Sequence, residues 1–344
     1  MQHINELIED IINNANPVYK KLNGSIGSGE IAEYEDVFGV DSLLSKTKLT
    51  SFTIKEFLER EIAPREFILS PIIPTQGLVM IYAPRGIGKT FVSLSVACSV
   101  ASGASMFGGK WKSPNARKVL FVDGEMPASV LQERFASIIA GMETDFDCSE
   151  NLKVITQDLQ ESGITDLSTT CGQRYIEEHL EGVELLILDN LSSLCRSGRE
   201  NESESWLPLQ EWLLSLRRKK ISVLIVHHAG KNGSQRGNSK KEDLLDTVVS
   251  LKKPKNYDSA EGARFEVHYE KARGFHGEDA KAFEASIKQQ EDQIIWQVKE
   301  LENVILTQAL ELHEQGFSQR DIAAELEISL SSVNRLLKKF KEEN

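Results

Sequence analysis

The sequence predicts an α/β protein with a mostly parallel sheet covered on both faces, followed by a small all-helical domain. Three observations predict it. Short, uniformly apolar runs recur at residues 78–82, 118–123, 184–189, 221–227 and 247–251. Helical patterns lie between them. One starts at Pro127 and carries Leu131, Phe135, Ile138 and Met142 on one face; another spans about Ser205 to Arg218. From about Glu302 the chain reads as helix. Strands without polar alternation are buried on both faces, and helical crossovers between them imply parallel pairing.

The segments follow in order. Residues 1–50 alternate short amphipathic pieces with the break Gly24-Ser25-Ile26-Gly27-Ser28-Gly29. They read as a partly disordered arm, too small to bury a core alone. Residues 51–276 form the predicted α/β core, with a further strand at Phe265–Tyr269, at the sheet's far edge. Residues 277–301 are charged and poorly patterned, and read as a linker with a late strand at Gln293–Val298. Residues 302–344 read as a helical module.

Composition narrows the function classes. Net charge is −12 over 344 residues, so the whole surface is no general magnet for nucleic acid; such contact must come from local basic patches. Cys98, Cys148, Cys171 and Cys195 show no CxxC spacing, which argues against zinc and a disulfide framework. No basic-then-apolar leader opens the chain, and no run approaches about 18 uninterrupted apolar residues. The expectation is a cytoplasmic protein with no membrane partner.

The first strand runs into Ala83-Pro84-Arg85-Gly86-Ile87-Gly88-Lys89-Thr90, and a helix pattern follows. A triphosphate needs closely approaching backbone N–H groups, so glycine is favoured where the chain curls around it. Lys89 supplies a cation for the β- and γ-phosphates, the Thr90 hydroxyl suits Mg²⁺, and the helix N-terminus adds a favourable field. Ala83 stands where the pattern has Gly. Asp189 ends the apolar run Leu185-Leu186-Ile187-Leu188, which delivers a carboxylate to the same sheet edge as a second metal anchor. The exit Asp123-Gly124-Glu125-Met126-Pro127 offers two carboxylates that can orient an attacking water. Asp123 and Glu125 compete for that role, and both also suit capping the next helix. Glu125 reaches further beyond the strand end.

Residues 77–275 resemble the RecA-like ATPase core of hexameric replicative helicases, both DnaB-type and plasmid RepA-type. The motifs that carry the resemblance are the Gly-Lys-Thr loop, Glu125-Met126-Pro127, the Leu188-Asp189 strand end, Val226-His227-His228 and Lys271-Ala272-Arg273. The resemblance implies a RecA-like P-loop NTPase that binds ATP and Mg²⁺ and assembles as a homo-oligomeric ring, a hexamer. It implies that Glu125 is the general base, that His228 senses the γ-phosphate, and that Lys271 and Arg273 reach a neighbouring subunit's nucleotide. A ring-forming DNA motor, a helicase of plasmid or phage type, is the leading expectation. A DNA-binding regulator using ATP as an assembly switch is the alternative.

Two segments suit DNA. Between Arg217 and Lys255 stand eleven Lys/Arg against three acids. Part of this excess, Arg217 to Lys220, sits where a helix C-terminus welcomes cations. The rest centres on the Gly/Asn/Ser stretch 229–241, with Lys231, Arg236, Lys240 and Lys241, which suits a single-strand backbone. The second segment begins at Ser318, a helix cap. Ile322, Ala323, Leu326, Ile328, Val333 and Leu336 are spaced to pack two helices across a tight turn. This resembles the helix-turn-helix of resolvase and sigma-factor-like modules, with Glu327 where the turn commonly has Gly. Ser331, Ser332, Asn334, Arg335, Lys338 and Lys339 would then face outward toward duplex DNA. A small protein-docking module remains the other reading of the same spacing.

Overall fold

The computed structural model describes residues 49–142, 147–196, 206–230 and 243–343. The chain divides into two units, residues 1–63 and 64–344. In the first, Thr53 and Glu56 form a reciprocal capping box on the short helix Ile54–Leu58, none of whose residues is buried. The second unit carries everything that follows.

Its main sheet has nine strands: β1 (Leu78–Ala83), β2 (Val119–Asp123), β3 (Leu152–Thr156), β4 (Leu185–Asp189), β5 (Ser222–His228), β6 (Thr247–Lys252), β7 (Arg264–Ala272), β8 (Phe283–Gln290) and β9 (Gln293–Glu300). The spatial order is β9-β8-β7-β6-β1-β5-β4-β2-β3. The six strands from β6 to β3 in that order run parallel. β7, β8 and β9 extend the sheet antiparallel. The five apolar runs become strands within one residue of their expected ends.

Because side chains alternate across a pleat, each run divides its apolar residues between two cores. Val79, Ile81, Phe121, Ile187 and Leu224 pack with helices α1 (Lys89–Ser102) and α2 (Ala128–Ala140). Leu78, Met80, Leu120, Leu186 and Val223 pack with α3 (Thr170–Glu177) and α4 (Leu207–Arg218). Each such side chain contributes about 1.5–3 kcal/mol relative to exposure. This double burial is why the strands show no polar alternation. Pro127, expected as the first helical residue, is the N-cap of α2 instead.

Two expectations are corrected. Strand 265–269 is not at the edge: it lies inside the longer β7, between β6 and β8. Segment 277–301 is not a linker with one late strand, because β8 and β9 form a hairpin within the main sheet. The cause is aromatic burial at long range. Phe107 packs edge-to-face on Trp111, Phe283 and Trp296, with centroids 4.8, 5.4 and 4.7 Å away. Such pairs add to simple burial. Ile294, Trp296 and Val298 alternate onto the core while charged residues between them hide the pattern. Glu291, at a positive φ of 53°, opens the two-residue turn.

The C-terminal helices are α5 (Leu301–Glu314), α6 (Gln319–Glu325) and α7 (Leu330–Glu343). They have their own small core of Ala309, Ile322, Val333 and Leu337. Ser318 caps α6 in a reciprocal capping box with Asp321. Glu327, in the turn, has φ 52°, the left-handed conformation that glycine adopts without cost.

The phosphate loop and its cleft

β1 delivers the loop at the carboxyl edge of the parallel strands, where crossovers leave a crevice. Gly86 and Gly88 have φ of 75° and 113°. Gly88 is required twice over, since a Cβ there would lie 3.0 Å from the Ala263 methyl. Lys89 is only 7% exposed, and its Nζ donates to the carbonyls of Ala83 (3.1 Å) and Pro84 (2.8 Å). Burial pulls its pKa down to about 8, against the attraction of Asp189 and Glu125.

Around this loop is a cavity of about 490 Å³ that Asp123, Glu125, Asp189 and His228 also line. Asp189 is fully buried. Burial pushes its carboxyl up to about 6, although it accepts a hydrogen bond from Ser93 Oγ (2.6 Å) and another from Thr90. A buried carboxylate beside a threonine hydroxyl, with its charge incompletely compensated, is a donor set that a hard divalent cation fits. Thr90 and Asp189 are the residues that can hold one.

The two competing carboxylates part company. Asp123 accepts from the backbone N–H groups of Glu125 (3.2 Å) and Met126 (2.8 Å), so it ties the strand exit into its turn. Burial pushes it up to about 6. Glu125 keeps a 58% exposed side chain that accepts from Asn190 Nδ2 and lies 3.9 Å from His228 Nε2. Of the two, Glu125 has a carboxylate open to the cleft. His227 and His228 are both buried, and it is His228 that lines the cavity.

Three cavity residues escaped sequence reasoning. Arg134 stacks over the Phe91 ring at 4.4 Å, within the field of Asp189 and Asp123. Its position one residue before Phe135, on the inward side of α2, was the available signal. Asn190 directly follows Asp189. Tyr257 gave no local signal: it arrives because β6 runs parallel beside β1 and ends at the same edge.

Lys271 and Arg273 lie elsewhere. β7 runs antiparallel, so its end returns to the opposite sheet edge, where Lys271 pairs with Val248 and the Arg273 N–H donates to Asp246 O. Both side chains reach Asp243 O, at 3.5 and 3.0 Å. Within one chain they do not share the loop's cleft. Lys231, Arg236, Lys240 and Lys241 lie outside the described residues. On α7, Ser331, Asn334, Arg335 and Lys338 are exposed as expected, while Lys339 is outside the described side chains. Ser332 is corrected: it is half-buried, its N–H donating to Ser329 Oγ (3.1 Å), because the helix start uses it as part of its cap.

The fold and loop define a P-loop nucleotide-binding protein of RecA-like architecture, joined to a C-terminal helix-turn-helix. The chain belongs to the AAA domain family, whose sequence profile matches residues 45–234. A homeodomain-like profile matches residues 307–344. No curated protein matches the chain. Among solved structures, a KaiC-like protein from the hyperthermophilic archaeon Pyrococcus horikoshii OT3 is similar, at 17% identity and a TM-score of 0.45. The match covers 65% of this chain and 90% of that one.

Proposed function

We propose that this protein is an ATP-hydrolysing, ring-forming DNA motor of the helicase type. The observation that carries the reading is the cleft's division of labour. One carboxylate, Asp189, is buried beside Thr90 and the loop, and a second, Glu125, is open and held by Asn190. Lys89 neutralises the phosphates, and Thr90 with Asp189 holds Mg²⁺, which supplies charge neutralisation when bound. Glu125 takes the proton of the attacking water, and His228, beside it, follows the γ-phosphate. Arg134 adds a second cation from the same chain. Lys271 and Arg273, on the far sheet edge, serve a neighbour's nucleotide, which is the reason for a ring. The stretch 231–241 tracks single-stranded DNA, and α7 reads duplex.

The test is a strand-displacement assay combined with subunit mixing. Arg273→Ala and Glu125→Gln subunits should each be inactive alone and should regain ATP turnover when co-assembled. Only mixtures pair an intact Glu125 with a neighbour's intact Arg273. Co-assembly without recovery would remove the shared site. A second reading, a DNA-binding regulator switched by ATP, is favoured by the contact between Lys255 and the helix-turn-helix turn. It predicts hydrolysis without unwinding.

A further inference from the structure

The segment between β6 and β7, residues 253–263, touches two places that the rest of the fold keeps apart. At its far end Gly262 and Ala263 line the nucleotide cavity, and Ala263 leaves no room for a side chain on loop residue Gly88. Tyr257 lines the same cavity. Its hydroxyl donates to Gly262 O (2.8 Å), and its backbone N–H donates to Pro254 O (3.1 Å). Lys253 Nζ sits 4.8 Å from the ring centroid. These bonds make the segment a short closed loop rather than a loose tether. Two residues before Tyr257, Lys255 Nζ reaches the turn of the helix-turn-helix, donating to Glu325 O (3.2 Å) and pairing with Glu327 Oε1 (3.1 Å).

Aromatic side chains in a phosphate-binding cavity suit the nucleobase, because every base offers a π face. The cavity's other aromatic, Phe91, already has Arg134 over its ring. Tyr257 is therefore the base-side platform. The ion pair at the other end is exposed on both sides, and exposed pairs are weak. A weak contact is easily shifted by a small movement of the segment that carries it.

We propose that residues 253–263 form a nucleotide-responsive strap, in which a base settling on Tyr257 fixes Lys255 on the Glu325–Glu327 turn and so couples cavity occupancy to docking of the helix-turn-helix. The proposal rests on nucleotide binding at the phosphate loop. Coupling is reciprocal, so the docked module also strengthens nucleotide binding.

The experiment is hydrogen exchange on the full chain, with and without saturating MgATP, beside a direct binding titration. In the parent protein, ATP slows exchange at residues 325–329. Lys255→Ala loses that response while ATP affinity weakens only a few-fold, about threefold. The charge swap Lys255→Glu with Glu327→Lys restores it. Tyr257→Ala weakens ATP at least fivefold, roughly the loss of one stacked base, but leaves inorganic tripolyphosphate binding unchanged. Unchanged exchange at 325–329 in a parent protein that the titration shows to be saturated overturns the strap alone. A full response in Lys255→Ala does the same. If neither ATP nor tripolyphosphate binds the parent, the phosphate-loop reading fails and the strap falls with it.

Discussion

Asp189 and Asp246 are the same side chain near opposite edges of one sheet, and they are held in opposite electrostatic states. Asp246, just before β6, accepts from the Leu78 N–H (2.9 Å), Arg65 Nη1 (3.0 Å) and Arg217 Nη2 (2.6 Å). These partners outweigh its burial and hold its carboxyl below the usual range. Asp189 is more deeply buried, has hydroxyl partners and one nearby lysine, and is pushed up to about 6. One edge is a completed knot. The other edge leaves charge uncompensated where a ligand can complete it, which is how a binding site differs from a structural one. The knot also uses Arg217, part of the basic cluster that the sequence suggested was solvated.

The largest effects should fall at the uncompensated edge. Glu125→Gln should lower ATP turnover by roughly 10²- to 10⁴-fold while keeping nucleotide affinity, since shape and the Asn190 contact survive. Lys89→Ala should lose affinity itself, at least tenfold, as expected for a charge-assisted contact to phosphate. Equilibrium binding and single-turnover hydrolysis separate the two. If Glu125→Gln hydrolyses ATP at the parent rate, Asp123 becomes the better base.

The same contrast predicts stability. Asp246→Ala leaves two arginines without their acceptor and should cost about 3 kcal/mol in denaturant unfolding, with nucleotide affinity of the folded protein little changed. Asp189→Asn should cost the nucleotide-free protein far less, because it removes a charge that burial opposes, yet it should abolish the Mg²⁺ dependence of binding. The pH signs are opposite. Asp246 has a depressed folded pKa, so its contribution is present above about 3.9 and is lost as pH falls toward the folded value. Asp189 has a raised pKa, so its ionisation lowers stability as pH rises from about 4 through 6. Equal losses in both variants would erase the contrast.

Nucleotide binding should carry the imprint of the same edge in its pH profile. Below about 6, Asp189 takes a proton and its affinity for a cation falls. Above about 8, Lys89 loses its proton in the free protein and phosphate affinity falls. MgATP affinity should therefore be greatest between those values. Asp189→Asn should remove the acidic limb only. A flat profile from pH 5 to 9 would mean that neither group controls binding.

What the sequence disclosed follows the range of the interactions. The five buried strands, the phosphate loop and the strand-end carboxylates were legible because each is a local pattern: an apolar run followed by its exit. The β8–β9 hairpin was not, because its apolar residues alternate with charge and their partners, Phe107 and Trp111, lie more than 150 residues away. Tyr257 was hidden for a related reason, since only strand order places the exit of β6 beside that of β1. The division between Asp123 and Glu125 needed geometry too. Both are strand-exit acids in sequence, and only the turn shows which one the backbone consumes.

The smallest effect tests the link between the cleft and the C-terminal module. Glu327 holds φ 52° in the turn between α6 and α7, a conformation that costs a side-chain-bearing residue about 1–2 kcal/mol and glycine almost nothing. Glycine gives part of that back through the greater freedom of the unfolded chain. Glu327→Gly also deletes the exposed pair with Lys255, which is worth little on its own. The balance is a module stabilised by about 0.5 kcal/mol, visible as slower exchange in the α6 and α7 core without nucleotide. If Glu327 is there only because the turn tolerates it, nothing else changes. If it anchors the strap, the same variant loses the ATP-induced slowing at residues 325–329 while its module is more stable than the parent's. Stability and response then move in opposite directions, which loosening of the module cannot produce.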